Sequence, residues 1–134
     1  MKAFVYFNLH THLWSVKALD GQYKGKVVAH ARSIELHDCE LKVSEAGRQR
    51  VIREQAKNVH AGVVGEVVAI DAVSKRYPVQ FHRLFDEVDD VTRLLPVTYN
   101  PYRFNSFVTK DKHIPVHRAD KAVLNSTGLH IGGH

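Results

Sequence analysis

One cysteine, Cys39, stands in the whole chain, so no intramolecular disulfide can form. No apolar run approaches the length of a membrane span. The start, MKAFVYFNLH, has one lysine and then a short apolar stretch broken by Asn8 and His10. It lacks the long apolar core and small-residue cleavage site of a secretory signal. A cytosolic protein with no membrane partner is therefore expected. No phosphate-loop or dinucleotide glycine pattern occurs, since Gly62 and Gly65 lie in a β-branched stretch. No cofactor is expected. No repeat, low-complexity tract or second-domain boundary interrupts the 134 residues, which suit one domain with one modest core. Acidic residues are the minority: 14 against 19 lysines and arginines, a formal charge of +5. That balance suits an anionic partner such as nucleic acid, nucleotide or phosphate.

What is present reads first as strands. Ala3, Val5, Phe7 and Leu9 share one face of a strand, with Phe4 and Tyr6 on the other. LWSVKAL gives a second strand, KVVAHA a third and SIELHDCELKV a fourth. The fourth changes phase, because Ile34 and Leu36 are even while Leu41 and Val43 are odd; a bulge near His37 and Asp38 absorbs the slip. Ser44 is a good N-cap for a helix over 45–57, with Glu45 in its first turn and Asn58 as its stop. VHAGVVGEVVAI then predicts a strand with a bulge or close backbone approach near Gly62 or Gly65. A short helix over 85–95, with Val88 and Val91 inward, ends at Pro96. VTYNPYRFNSFV predicts strand, turn, strand, and KAVLNSTGLHI a hairpin bent at Asn-Ser-Thr-Gly. The expected class is α+β: an N-terminal antiparallel β-meander, one central basic α-helix and C-terminal β-hairpins in a single domain.

The helix carries the charge. At about 100° per residue, Arg50, Arg53 and Lys57 fall within about 60° of one another, opposite Val51 and Ile52. Arg48 lies on the apolar side, where a guanidinium needs a partner from this subunit or another. Such a row is either a solvated basic face or an anion cradle. YNPYRF places Tyr99, Tyr102, Arg103 and Phe104 around one turn, and aromatic faces with an arginine suit a purine and its phosphate. Core packing is the alternative role for the tyrosines and Phe107.

Other chemistry is weakly supported. His113 and His117 are four apart, but Pro115 excludes a regular helix between them. His10 and His12 share a strand face or a turn. Both pairs read as polar-face histidines, not metal ligands. A nuclease needs two histidines on one phosphate with a cation nearby, and His60 with His117 is the best pair available.

Several segments together resemble a known family: KVSEAGRQRVIREQAKNVHAGVVGEVV, VTYNPYRFNSFV and PVHRADKAVL, with YFNLHTHLWSV and GKVVAHARSIEL in fitting strand order. They resemble the phage Thoeris anti-defence family, sponge proteins that sequester nucleotide signals. The likeness covers nearly everything except 72–95. It implies a binding protein rather than an enzyme, acting in the cytoplasm of the infected host cell. Such sponges hold cyclic ADP-ribose isomers made by immune TIR proteins, and some take the cyclic di- or trinucleotides of CBASS-type signalling. It also implies a homo-oligomer, dimer or hexamer, with pockets built across subunits. Members often carry lysine where Arg103 stands, and REQAKNVHA has Gln-Ala where further basic residues would be expected. The ligand-binding set that follows is Arg48, Arg50, Arg53, Lys57, Asn58, His60, Asn100, Tyr102, Arg103, Phe104 and Arg118. A basic nucleic-acid-binding phage protein, or a small phosphodiesterase, are the alternatives.

Overall fold

Period-two alternation dominates the chain, and pairing between the alternating segments builds the fold. The computed structural model describes residues 1–79, 81 and 91–133. Strands β1 (Lys2–Asn8), β2 (Leu13–Ala18) and β3 (Val27–Val43) lead into the helix α1 (Glu45–Glu54). After it come β4 (Ala61–Lys75), β5 (Leu95–Thr98), β6 (Phe107–Thr109), β7 (Pro115–Val116), β8 (Arg118–Asn125) and β9 (Gly128–Gly132). All strand pairs are antiparallel, in the order β2-β1-β4-β3-β8-β9-β5-β6-β7.

The expected α+β class is therefore corrected to a mostly antiparallel β protein, with one ten-residue α-helix among the described residues. The reason is visible in α1: only Val51 is buried on it, so the helix contributes almost nothing to the core. The separate third and fourth strands and the hairpin segments are parts of one sheet, nine-stranded among the described residues.

Strand β3 organises this sheet. KVVAHA and SIELHDCELKV form one 17-residue strand. Its first part pairs with β2, through Trp14 opposite Ala31 and Val16 opposite Ala29. Its second part pairs with β8, through Ile34 opposite Leu124 and Leu36 opposite Ala122. Its other edge pairs with β4 along nearly the whole length. Because β1 also joins β2 to β4, the strands β1, β2, β3 and β4 close into a ring. Ala3, Val5, Val16, Ala29 and Ala31 are fully buried within this core, where small side chains fit a narrow interior. The phase slip in β3 is absorbed by a register shift between His37 and Glu40, with Asp38 at φ +54°.

Gly62 shows why β4 needs glycine. A Cβ built there would lie 2.5 Å from the Val5 carbonyl oxygen and 2.7 Å from the Phe4 ring. The ring of Phe4 thus lies against bare backbone.

Helix α1 starts as its sequence demands, with Ser44 Oγ accepting the Gly47 N–H at 3.2 Å. It ends earlier than expected. Gln55 takes the left-handed conformation (φ +52°) and stops the helix, so Lys57 is outside it and the expected three-cation row reduces to Arg50 and Arg53. The expected helix over 85–95 lies mostly outside the described residues; Val91–Arg93 form a single 3-10 turn and Leu95 already belongs to β5. Among the described residues no helix is long and apolar enough to cross a membrane.

Candidate functional site

The apolar face of β1 outruns the core it serves. Ala3 and Val5 are wholly buried, but Phe7 and Leu9 on the same face are 39% and 49% exposed. Past the end of the closed ring they form one wall of a cavity of about 630 Å³. Tyr6 and Trp14 stand beside them. The segment 55–60, between α1 and β4, makes a second wall with Gln55, Lys57, Asn58 and His60. The third comes from the end of β5 and the turn after it, with Tyr99, Pro101 and Tyr102, and from Phe107 on β6.

The rings hold one another in place. Phe7 meets Trp14 edge-on at 5.2 Å between centroids, and Tyr99 packs on Phe107 at 5.3 Å. Trp14 Nε1 donates to the Asn125 carbonyl at 3.1 Å, tying the wall to the β8–β9 turn. Tyr102, which also lines the cavity, is 61% exposed. None of the described lining residues is Asp or Glu. The charged and titratable groups are Lys57, His10, His60 and the tyrosines.

His60 bridges the Asn58 carbonyl and the Tyr99 hydroxyl. His60 Nδ1 lies 2.8 Å from the Asn58 carbonyl oxygen, which can only accept. In the neutral imidazole Nδ1 then carries the proton, and Nε2 accepts from the Tyr99 hydroxyl at 2.6 Å. The phenolic oxygen is left with acceptor capacity only. Burial pushes the Tyr99 hydroxyl up to about 12, which keeps it protonated as this bridge requires.

The structure divides the eleven residues that the sequence singled out. Lys57, Asn58, His60 and Tyr102 come together in the cavity wall. Arg50 and Arg53 are exposed on α1 and do not line it. Arg48 has found its partner within the chain: Nε donates to the carbonyls of Pro101 (2.9 Å) and Phe104 (2.8 Å), and Nη1 pairs with Glu45 at 2.8 Å. The guanidinium thus clamps α1 to the turn that carries Tyr102. Asn100 shapes that turn, its Oδ1 accepting the Tyr102 N–H at 2.9 Å. Arg103 lies over the Phe104 ring at 5.2 Å, and Phe104 packs on His113. Arg118 lines a separate cavity of about 350 Å³ with His117, so His60 and His117 line different cavities.

Sequence reasoning missed Tyr6, Phe7 and Trp14 as site residues; Phe107, for which core packing was the alternative role, both packs against the core and lines the cavity. The available signal was the continuation of an apolar strand face into the polar stretch around HTH. Among the described residues no group of three or more His, Cys, Asp or Glu side chains is placed to hold a metal ion.

Comparison with known proteins places the chain in a phage family. The family model of the Mycobacterium phage L5 gene 82 protein matches residues 1–131. The curated Gene 82 protein of Mycobacterium phage L5 is 33% identical over 138 residues, covering 96% of this chain and 94% of that protein. The chain belongs to this family. No solved structure matches it.

Proposed function

We propose that this phage-family protein is a sponge: it binds a small phosphorylated purine signal in the aromatic cavity and sequesters it without cleaving it. The observation that carries the reading is the cavity itself, aromatic on its walls and without a described carboxylate. Its volume of about 630 Å³ lies in the range that encloses small ligands. Stacking on Tyr102 and Trp14 suits a purine, and Lys57 supplies a cation for its phosphate. The acceptor oxygen of Tyr99 suits a ring N–H or exocyclic amine. Nanomolar retention corresponds to about −12 kcal/mol, within reach of stacking and two or three charge-assisted hydrogen bonds once the bound ligand displaces water from the cavity.

The resemblance to Thoeris anti-defence sponges narrows the ligand class to cyclic ADP-ribose isomers and cyclic di- or trinucleotides. The biological role is then blockade of Thoeris or CBASS-type signalling in the cytoplasm of the infected host. Assembly into a homo-oligomer belongs to the same proposal.

The test is incubation with a panel of cyclic nucleotides, removal of free ligand, heat release and chromatography. One messenger should return intact in stoichiometric ratio, and Tyr102→Ala with Lys57→Gln should abolish its retention. Recovery of a new species identifies a phosphodiesterase, and no retention of any messenger refutes the sponge. One observation favours the alternative of nucleic-acid binding: Arg50 and Arg53 are exposed and form no ion pair among the described residues. That reading requires tight, steeply salt-dependent binding to long polynucleotides, lost in Arg50→Gln/Arg53→Gln.

A further inference from the structure

A second cavity, of about 600 Å³, adjoins the first and shares Tyr6, Val59 and His60 with it. It lies on the outer face of the closed ring. Phe4 and Tyr6 form its floor, their centroids 5.8 Å apart and their planes tilted by 35°. Lys17 on β2 stands directly opposite Phe4 in the strand register. Lys42 on β3 stands opposite Gly62, the residue against which the Phe4 ring lies. The ring is thus flanked by a lysine from each side. Neither Lys17 nor Lys42 meets a carboxylate among the described residues lining this cavity. Lys42 Nζ makes a long ion pair with Glu40 Oε2 at 3.9 Å, with both side chains about half exposed, and a bound anion would compete with that carboxylate for the ammonium.

The first cavity raises a charge problem that the second resolves. Its described wall offers one lysine, and Arg48, Arg50, Arg53 and Arg103 do not line it. A pyrophosphate carries more negative charge than one ammonium matches. The adjoining lobe supplies two further ammonium groups on rigid strands, reached past Tyr6 and His60.

We propose that the two cavities form one two-lobed site, in which the second lobe, between Lys17 and Lys42, holds the phosphate or pyrophosphate of the ligand. The inference rests on the reading of the first lobe as the ring-binding site. Val59, 52% exposed between the lobes, is the sill across which the ligand lies. Lys57 then neutralises the near end of the anion, and Lys17 and Lys42 its far end. The site is selective for ligands that carry both a planar ring and a multiply charged phosphate group.

Amide NMR titration tests this with two probes, inorganic pyrophosphate and cyclic ADP-ribose. Pyrophosphate is expected to shift the amides of Lys17, Lys42 and Val43 and leave Tyr102 unmoved. Cyclic ADP-ribose is expected to shift both lobes. Lys17→Gln/Lys42→Gln, two changes at exposed positions, should weaken both probes at least about tenfold, whereas Arg50→Gln/Arg53→Gln should not. Pyrophosphate that shifts only α1, or nothing, overturns the second lobe, while cyclic ADP-ribose binding confined to the first lobe keeps the sponge reading alone. Pyrophosphate bound at Lys17 and Lys42 without any cyclic ADP-ribose binding supports the anion lobe and counts against the cyclic ADP-ribose ligand.

Discussion

Replacing Arg48 separates a structural clamp from a ligand contact. Its side chain is 15% exposed and its single Nε–H is shared between two carbonyls, Pro101 at 2.9 Å and Phe104 at 2.8 Å. Arg48→Met keeps the apolar stem and removes only the head group. A hydrogen bond from a charged donor contributes about 1.5–3 kcal/mol, and the two carbonyls are left to recover partners from water. The Glu45 pair adds little, because Glu45 is 56% exposed. The net loss is therefore about 3 kcal/mol. For a chain of this size that lowers Tm by roughly 10 °C. Chemical denaturation should show a lower midpoint at an unchanged slope. Arg48→Lys should recover less than half, since an ammonium cannot reproduce the fork. Ligand affinity should fall only modestly, through loosening of the turn that carries Tyr102. If Arg48→Met is as stable as the parent within about 0.5 kcal/mol but loses its ligand, the clamp is wrong and the guanidinium belongs to the binding site.

Gly62→Ala should cost about 3 kcal/mol or prevent folding, because the new methyl meets backbone and ring at 2.5 and 2.7 Å; a neutral variant would show that Phe4 does not lie against β4. Cys39, 4% exposed and with its thiol pushed up to about 12 by burial and then by Asp38, should resist iodoacetamide at pH 8 and react only in denaturant. His130 is held below the ordinary imidazole value by burial first and Lys110 second, so the unfolded chain takes up its proton more readily. Its contribution to stability is intact above about pH 6.5 and is lost as pH falls through the depressed folded value; His130→Phe should flatten that acid slope in a thermal melt.

Local structure was legible where a single strand or cap decides it. Ser44 announced the start of α1, and the change of phase in SIELHDCELKV announced the register shift beside Asp38. The β8–β9 hairpin turns at Asn125–Gly128, where turn residues cluster. What did not follow was the weight of the elements. A helix whose charge catches the eye buries one side chain, while the alanines and valines of β1 to β4 hold the ring closed. Sequence periodicity also cannot say that β3 gives its edge first to β2 and then to β8. That division depends on pairings about 80 to 90 residues apart along the chain, from Glu40 with Arg118 to Ile34 with Leu124.

The site was half legible for a related physical reason. Charge density in a sequence marks where cations are, not what they face. Arg48 looked like a binding group because it sits on the apolar side of α1, yet a guanidinium in that position attracts whatever carbonyls the fold brings near, and the turn after β5 supplied two. Lys57 entered the cavity wall because Gln55 ends the helix early; had α1 continued, Lys57 would have joined Arg50 and Arg53 on the exposed face. Lys17 and Lys42 drew no attention in the sequence, being single lysines in separate strands. Only the closure of β1, β2, β3 and β4 sets them on either side of Phe4. An anion site on a β-sheet is assembled across strands, so its cations are far apart in sequence, whereas a run of arginines on one helix repels itself and is stable only because water surrounds it.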